Sequence, residues 1–180
     1  MLGKWDNWYK GLTKKDLGAF LYGDTETYKL AAEFLSDMKV VEDWGCGVGG
    51  FKRFYKGKYT GVDGSKTPFT NKVVDLREYK SKVDGIMMRH VLEHNYDWEK
   101  VLDNAIGSFR KKMCLILFTP FAGSTQEIAH NLAHGVDVPD IAFSQKDIEK
   151  HLTGCDWKMI GNIKTDTGYG VEHIFYITKK

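Results

Sequence analysis

The residues best placed to do chemistry lie in the run Glu42-Asp43-Trp44-Gly45-Cys46-Gly47-Val48-Gly49-Gly50. Glycines after a strand let the backbone turn sharply, and they let a ligand approach where a Cβ would otherwise stand. A helix that follows such a turn offers free N–H groups to an anionic part of the ligand. Gly45, Gly47 and Gly50 fit the G-x-G-x-x-G spacing of dinucleotide sites, a weak signal by itself. The same run fits acid-x-G-x-G-x-G, with Asp43 as the acid. A carboxylate two positions before the first glycine repels a pyrophosphate and suits a zwitterion that carries an ammonium group. That preference favours S-adenosylmethionine over NAD. The plain alternative is a glycine turn that binds nothing.

Two further acids follow. In Gly61-Val62-Asp63 a strand ends on a carboxylate that lies 18 residues after Gly45. Acids that meet ribose hydroxyls lie about 20 residues on in this kind of site. A carboxylate can accept both vicinal hydroxyl protons. The other reading of Asp63 is an exposed strand-end acid in a turn with Gly64 and Ser65. Asp75 closes Val73-Val74-Asp75-Leu76, where it can accept a hydrogen bond from an adenine amine or serve as a helix N-cap or loop carboxylate.

A third group is Arg89-His90-Val91-Leu92-Glu93-His94, after an apolar strand. Sites in α/β sheets lie beyond the carboxyl ends of the strands, so His90, Glu93 and His94 are the acid/base candidates. In a helix, His90 and His94 share a face, and one could hold or deprotonate an acceptor. The alternative is that His94 packs a helix end and His90 lines the pocket without doing chemistry. As metal ligands the cluster lacks a third fixed donor, so no metal is expected.

Alternating strands and helices must position these groups. Strands are predicted at Met38–Trp44, Lys58–Asp63, Lys72–Asp75, Val83–Met88, Lys112–Thr119, Asp156–Ile160 and Val171–Thr178. Leu17, Phe20 and Leu21 recur at helical spacing. A second helix is expected from an N-cap near Asp24 or Thr25 to about Ser36, with Tyr28, Ala31, Ala32 and Leu35 inward. Phe51–Tyr55 reads as a short helix, and Tyr96–Phe109 as an amphipathic one with Val101, Leu102, Ala105, Ile106 and Phe109 in its stripe. Ser144 and Asp147 resemble a capping box for a helix that runs to about Leu152. The order implies a mostly parallel sheet covered on both faces, with right-handed crossovers. The last two strands, with no helix between them, should form an antiparallel hairpin.

Between Pro120 and Phe143 runs a long connection that contains Gln126, His130, Asn131, His134, Asp137 and Asp140. Connections of this length in a compact domain are usually functional. Glu127–Ala133 is predicted as a short helix over the site. It places His130 and His134 four apart as pocket lining, with plain surface or, more remotely, metal binding as alternatives. Trp5, Trp8 and Tyr9 are read as a lid, within an N-terminal helical segment 1–36, or as packing on the domain's own flank. Tyr169 and His173 lie at an edge that faces substrate or solvent.

The bulk properties agree. A chain of 180 residues fits one domain, and 42% hydrophobic residues suffice for a core. A net charge of +2 gives no electrostatic case for a nucleic-acid or membrane partner. Cys46, Cys114 and Cys155 form no CxxC pair and no even framework, which favours a reducing, cytoplasmic setting. MLGKWDNWYK has no apolar h-region, and no apolar run approaches the ~20 residues of a membrane span.

Taken in order, Glu42-Asp43-x-Gly45-x-Gly47, Gly61-Val62-Asp63, Val74-Asp75 and Asp84-Gly85-Ile86-Met87-Met88-Arg89-His90-Val91-Leu92-Glu93-His94 resemble the class I S-adenosylmethionine-dependent methyltransferases. The likeness covers about residues 25–180 and is nearest to the small-molecule branch, where an H-x-L-E-H-like string follows the fourth strand. It implies a Rossmann-like three-layer α/β sandwich, with a seven-stranded sheet of order 3-2-1-4-5-7-6 and an antiparallel last strand. It places Asp43, Gly45, Cys46 and Gly47 around the methionine moiety of S-adenosylmethionine, whose product is S-adenosylhomocysteine. It puts Asp63, Gly64 and Ser65 on the ribose, Asp75 and Leu76 near adenine, and Arg89 on the cofactor side. Insertions after the fifth strand shape the acceptor pocket in that family, which suits His130 and His134 as substrate-binding residues, with Tyr169 joining them from the last hairpin. The helix after the glycine turn is short for the family. No D/N-P-P-Y/F string and no Pro-Cys nucleophile mark a nucleic-acid enzyme.

The expected activity is methyl transfer to oxygen or nitrogen of a small polar acceptor, a sugar or other metabolite, by a monomer or homodimer. An NAD-dependent oxidoreductase and a non-catalytic S-adenosylmethionine-binding module are the rival classes. Methylation of RNA or protein stays open, and the charge weighs modestly against RNA.

Overall fold

The computed structural model describes residues 2–11, 25–132 and 135–180. The helical pattern of Leu17, Phe20 and Leu21, the N-cap candidate Asp24, and His134 lie outside the described residues. Helix α1 (Asp6–Gly11) precedes α2 (Glu26–Phe34), and β1 (Val40–Trp44) follows. A 3₁₀ turn (Phe51–Arg53) leads to β2 (Lys58–Asp63), β3 (Lys72–Val73) and β4 (Val83–Arg89), and another 3₁₀ turn (Leu92–His94) follows β4. Next come α3 (Trp98–Ser108), β5 (Phe109–Leu117), β6 (Gln126–Asn131), β7 (Val138–Ala142), α4 (Gln145–His151), β8 (Cys155–Lys164) and β9 (Val171–Lys179).

Seven strands form one sheet in the order β3-β2-β1-β4-β5-β9-β8, while β6 and β7 pair separately. Counting the sheet's own strands alone, this is the expected order 3-2-1-4-5-7-6. The strands from β3 to β5 are parallel, and β9 runs antiparallel to both β5 and β8. The central strands are apolar on both faces because both faces are covered. Side chains alternate across the pleat. Ile86 and Met88 of β4 join Met113 and Leu115 of β5 in a core under α3 and α4. Met87, Cys114 and Ile116 point the other way and pack with Ala31, Leu35 and Val41. The inward residues of α2 and α3 match the predicted stripes, with Tyr28, Ala31, Ala32, Leu35, Val101, Leu102 and Ala105 buried.

Three local expectations are corrected. The segment predicted as helix Glu127–Ala133 begins as strand β6, paired antiparallel with β7. β7 buries Val138, Ile141 and Ala142, so its backbone groups need partners, and the exposed strand β6 supplies them. The third strand stops at Val73, which leaves Asp75 in the following loop. The Ser144 side chain does not cap α4. Thr125 does the bridging instead: its hydroxyl accepts from Ser144 N at 3.0 Å and donates to Asp147 at 2.7 Å.

Candidate active site

A cavity of about 390 Å³ opens at the carboxyl ends of β1, β2 and β4. The glycine turn forms its floor. Gly45 N and Cys46 N donate to Val62 O at 2.7 and 3.2 Å, which stitches the turn to β2. Gly45 has φ +76°, and a Cβ there would sit 2.3 Å from Val91 Cγ2. Gly47 has φ +47°, and a Cβ there would lie 2.9 Å from the Tyr9 hydroxyl oxygen. A side chain at either position costs both left-handed backbone strain and a collision.

Two buried carboxylates flank this turn. Asp43 lines the cavity and accepts from the Tyr59 hydroxyl at 2.9 Å. Burial pushes its carboxyl up to about 7, with the Tyr59 bond pulling it down and the nearby Asp63 charge adding to the rise. Asp63 accepts from Gly47 N at 2.9 Å and from Ser65 N at 2.8 Å. Its carboxyl is raised by burial and held back by those backbone donors. A carboxylate has about four acceptor positions, so Asp63 can fix the turn and still receive ligand hydroxyls. Gly64, Ser65, Asp75 and Leu76 continue the wall. The Asp75 carboxylate is engaged by Arg77 at 2.6 Å, which holds it far below the usual carboxylate range. Cys46 also lines the cavity, with its thiol pushed up by burial.

The residues that follow β4 divide sharply. Arg89 and His90 both line the cavity and both reach Glu172, which is fully buried in β9. Arg89 pairs with Glu172 Oε1 at 2.8 Å, and His90 Nε2 donates to the same oxygen at 2.5 Å. Thr27 donates to the other Glu172 oxygen at 3.1 Å. His90 takes φ +57°, an uncommon conformation for a residue with a Cβ. Burial, then the Arg89 charge, holds the His90 imidazole well below its ordinary value, so it is neutral. Glu93, expected at the rim as an acid/base group, instead points into the core. It is fully buried, accepts from Phe118 N at 2.6 Å, and leaves Oε2 without a partner. Burial pushes its carboxyl up to about 7.

His94 faces the cavity, and its Nδ1 donates to Pro139 O at 3.0 Å; Asp140 Oδ1 lies 3.1 Å from the same nitrogen but accepts no hydrogen bond among the described residues. The N-terminal segment closes over this end. Trp5 N donates to Ser65 Oγ at 3.1 Å, Gly3 N donates to Gly64 O at 2.8 Å, and the Lys4 ammonium donates to the His94 carbonyl. Trp5, Trp8 and Tyr9 all line the cavity, and the Trp5 ring meets His94 edge-on at 5.0 Å.

Solved structures share this architecture. A Burkholderia thailandensis 1,6-didemethyltoxoflavin-N1-methyltransferase, bound to 1,6-didemethyltoxoflavin and S-adenosylhomocysteine, superposes with a TM-score of 0.66 at 15% identity. The match covers 97% of this chain and 84% of that one. A magnesium protoporphyrin IX methyltransferase from Synechocystis with bound S-adenosylhomocysteine gives a TM-score of 0.63 at 17% identity, covering 98% and 94%. The fold is the Rossmann-like methyltransferase fold. No family description matches the sequence, and no curated protein does.

Two expected substrate groups sit elsewhere. His130 lies outside the cavity wall, on the exposed strand β6, where its ring bridges Glu127 and Asp137 at 2.7 Å each. Those two carboxylates raise its imidazole above its ordinary value. The neighbouring Asn131 reaches the cavity instead. Tyr169 acts one step back, donating to Asp140 Oδ2 at 2.9 Å. Asp140 and Glu172 were not singled out as site residues by spacing. Glu172 carries a signal nonetheless: an acid inside the apolar run Val171–Thr178 must be paired to be tolerated there.

Proposed function

We propose that this protein is an S-adenosylmethionine-dependent methyltransferase that acts on oxygen or nitrogen of a small polar acceptor. The observation that carries this reading is the buried Asp43 carboxylate in the cavity wall beside a turn whose Gly45 and Gly47 both take left-handed backbone conformations. A carboxylate shut away from water, with a second acid nearby, gains from an incoming ammonium and loses from an incoming pyrophosphate. S-adenosylmethionine carries that ammonium; NAD carries the pyrophosphate. The structural neighbours with bound S-adenosylhomocysteine support the same ligand.

When bound, S-adenosylmethionine supplies a methyl group already activated on sulfur, together with its leaving group. The chain's own residues then align, shelter and deprotonate. Asp43 and the turn hold the amino-acid end. Asp63 offers its remaining acceptor positions to vicinal hydroxyls, and Val74 to Leu76 flank the base. Trp5, Trp8 and Tyr9 form an aromatic lid that keeps water from the reacting centre. His94 stands at the acceptor end with one ring nitrogen engaged, while His90 is tied to Glu172 and serves as neutral lining. The cavity volume lies within the ~300–1,000 Å³ of small-molecule sites. No helix among the described residues is long and apolar enough to cross a membrane. The three free, buried cysteines suit a cytoplasmic setting.

Calorimetric titration with S-adenosylmethionine, S-adenosylhomocysteine and NAD in parallel tests the reading. Binding of the first two without NAD is expected. Binding of NAD alone, or of none, would overturn it.

A further inference from the structure

The seven-stranded sheet ends differently at its two edges. β3 closes one edge with only Lys72 and Val73, and an edge that short offers little to pair with. β8 closes the other with ten residues, Cys155–Lys164. Beyond its ladder to β9, the β8 backbone makes a turn bond from Cys155 N to Leu152 O, accepts the Thr178 hydroxyl at Asp156 O, and donates from Asn162 N to the His173 ring. No other hydrogen bond among the described residues uses it. Its outer edge is a row of donors and acceptors open to another strand. The ladder register shifts between Ile160 and Ile163, and Asn162 takes φ +57°, so the second half of the strand is bulged. The first half, Cys155–Ile160, pairs regularly with β9 and holds no proline. It leaves Trp157 37% and Ile160 38% exposed, with Asp156 and Lys158 exposed beside them.

We infer that this edge is a dimer interface, on which a second copy of the chain pairs antiparallel about a twofold axis at Trp157. Residues directly opposite each other in such a pair share a face, and the twofold makes every contact reciprocal. Together these conditions allow only registers in which one residue faces its own copy. Centred on Asp156, the pairing sets carboxylate against carboxylate; centred on Lys158, ammonium against ammonium. A register centred on Cys155 runs off the start of the strand, and one centred beyond Lys158 draws the bulge into the ladder. Centred on Trp157, Asp156 of each copy faces Lys158 of the other, and Cys155 faces Met159. Two ion pairs then flank the axis on one face of the sheet, and the two indoles meet on the other. The Trp157 ring already packs on Phe175, with centroids 5.9 Å apart, so little freedom is lost when it is covered. Within the chain Asp156 lies 3.9 Å from Lys180, an exposed and weak pair that a cross-strand lysine can displace. β5 and β9 separate this edge from the strands that carry the cavity, so pairing leaves the site's lining in place.

Analytical ultracentrifugation of the full chain over a range of concentrations, with charge-reversal variants, is the test. The wild type is expected to pass reversibly from monomer to dimer and no further, because the pairing uses the one long edge of each sheet. Asp156→Lys and Lys158→Asp each set like charges opposite one another on both sides of the axis. Either alone should raise the dimer dissociation constant by about tenfold. The double variant carrying both changes restores opposite charges in this register and in no other, and should return the constant to near the wild-type value. Both side chains are exposed, so circular dichroism and denaturation of the dilute monomers should be alike in all four proteins. A chain that stays monomeric at every concentration would overturn the inference and leave the edge to a strand of a different protein. A dimer that tolerates both single variants would overturn it too, because the copies would then meet elsewhere. Single variants that dissociate without rescue in the double variant would reject the Trp157-centred pairing.

Discussion

A carboxylate shut into a cavity wall can be read by its proton. With the Asp43 carboxyl at about 7, raised chiefly by burial, the ligand-free protein holds that proton below neutrality. Binding an ammonium beside it must expel the proton, so affinity for S-adenosylhomocysteine should be level above pH 7. It should fall by up to about tenfold for each pH unit below. Calorimetry at pH 5.5 and 8 checks this; equal affinity at both would remove Asp43 from the ammonium site. Asp43→Asn should lose both the pH dependence and much of the affinity. At the turn, Gly47→Arg should abolish binding, since even a Cβ meets Tyr9 and the backbone is left-handed. Asp63→Ala should weaken binding by at least tenfold, an estimate of about 1.4 kcal/mol, by freeing the Gly47 and Ser65 amides as well as losing the ligand contact. Unchanged titrations in both variants would rule out the pocket. These residues were legible because their meaning lies in local spacing: an acid, then glycines, then a strand ending in acid. Glu93 was not, because spacing places it at the rim but cannot say that a 3₁₀ turn rotates its side chain onto Phe118 N.

At the scale of elements, β1, β4, β5, β9 and α2 to α4 follow hydrophobic periodicity closely, since each buries one face or both. The β6–β7 hairpin escaped because β6 has no buried face to impose a period of two. Its residues Glu127, Ala129 and His130 are compatible with a helix, and only the need of β7 for hydrogen-bond partners decides. That hairpin carries Asp140, so misreading the element also hid the residue. The N-terminal segment is the element whose role a direct measurement can fix. Trp5 and Trp8 line the cavity and pack edge to face at 6.4 Å, whereas Trp44 and Trp98 are buried in the core. Titration with S-adenosylhomocysteine should therefore change the tryptophan emission, and the double variant Trp5→Phe, Trp8→Phe should remove most of that change. Trp5→Ala should speed ligand dissociation about tenfold, a loss of ~1.4 kcal/mol. Emission that responds fully in the double variant would show that the segment does not cover the bound ligand.

For the whole molecule, buried ionisable groups couple the site to stability. Asp43 and Glu93 both rise to about 7, and His173 falls to about 4 through burial. The signs oppose each other. A raised carboxyl contributes stability that is present below its unfolded value and lost as pH climbs through its folded one; for Glu93 that window runs from 4.5 to about 7. A depressed imidazole works the other way, adding stability as pH climbs from about 4 to 6.5. Between these limits the effects partly cancel, and past the histidine window only the acids still act. The ligand-free protein should thus be less stable at pH 8 than at pH 6. Glu93→Gln isolates the acid: its amide oxygen can keep the Phe118 N bond, and it mimics the protonated carboxyl. Chemical denaturation should find the variant close to the wild type at pH 4.5. At pH 8 it should be more stable by an amount on the order of 3 kcal/mol, the free energy of moving a carboxyl from 4.5 to about 7. A variant that is equally destabilised at both values would mean that Glu93 works as a paired anion. Its Oε2, which has no hydrogen-bond partner among the described residues, would then have one in solution.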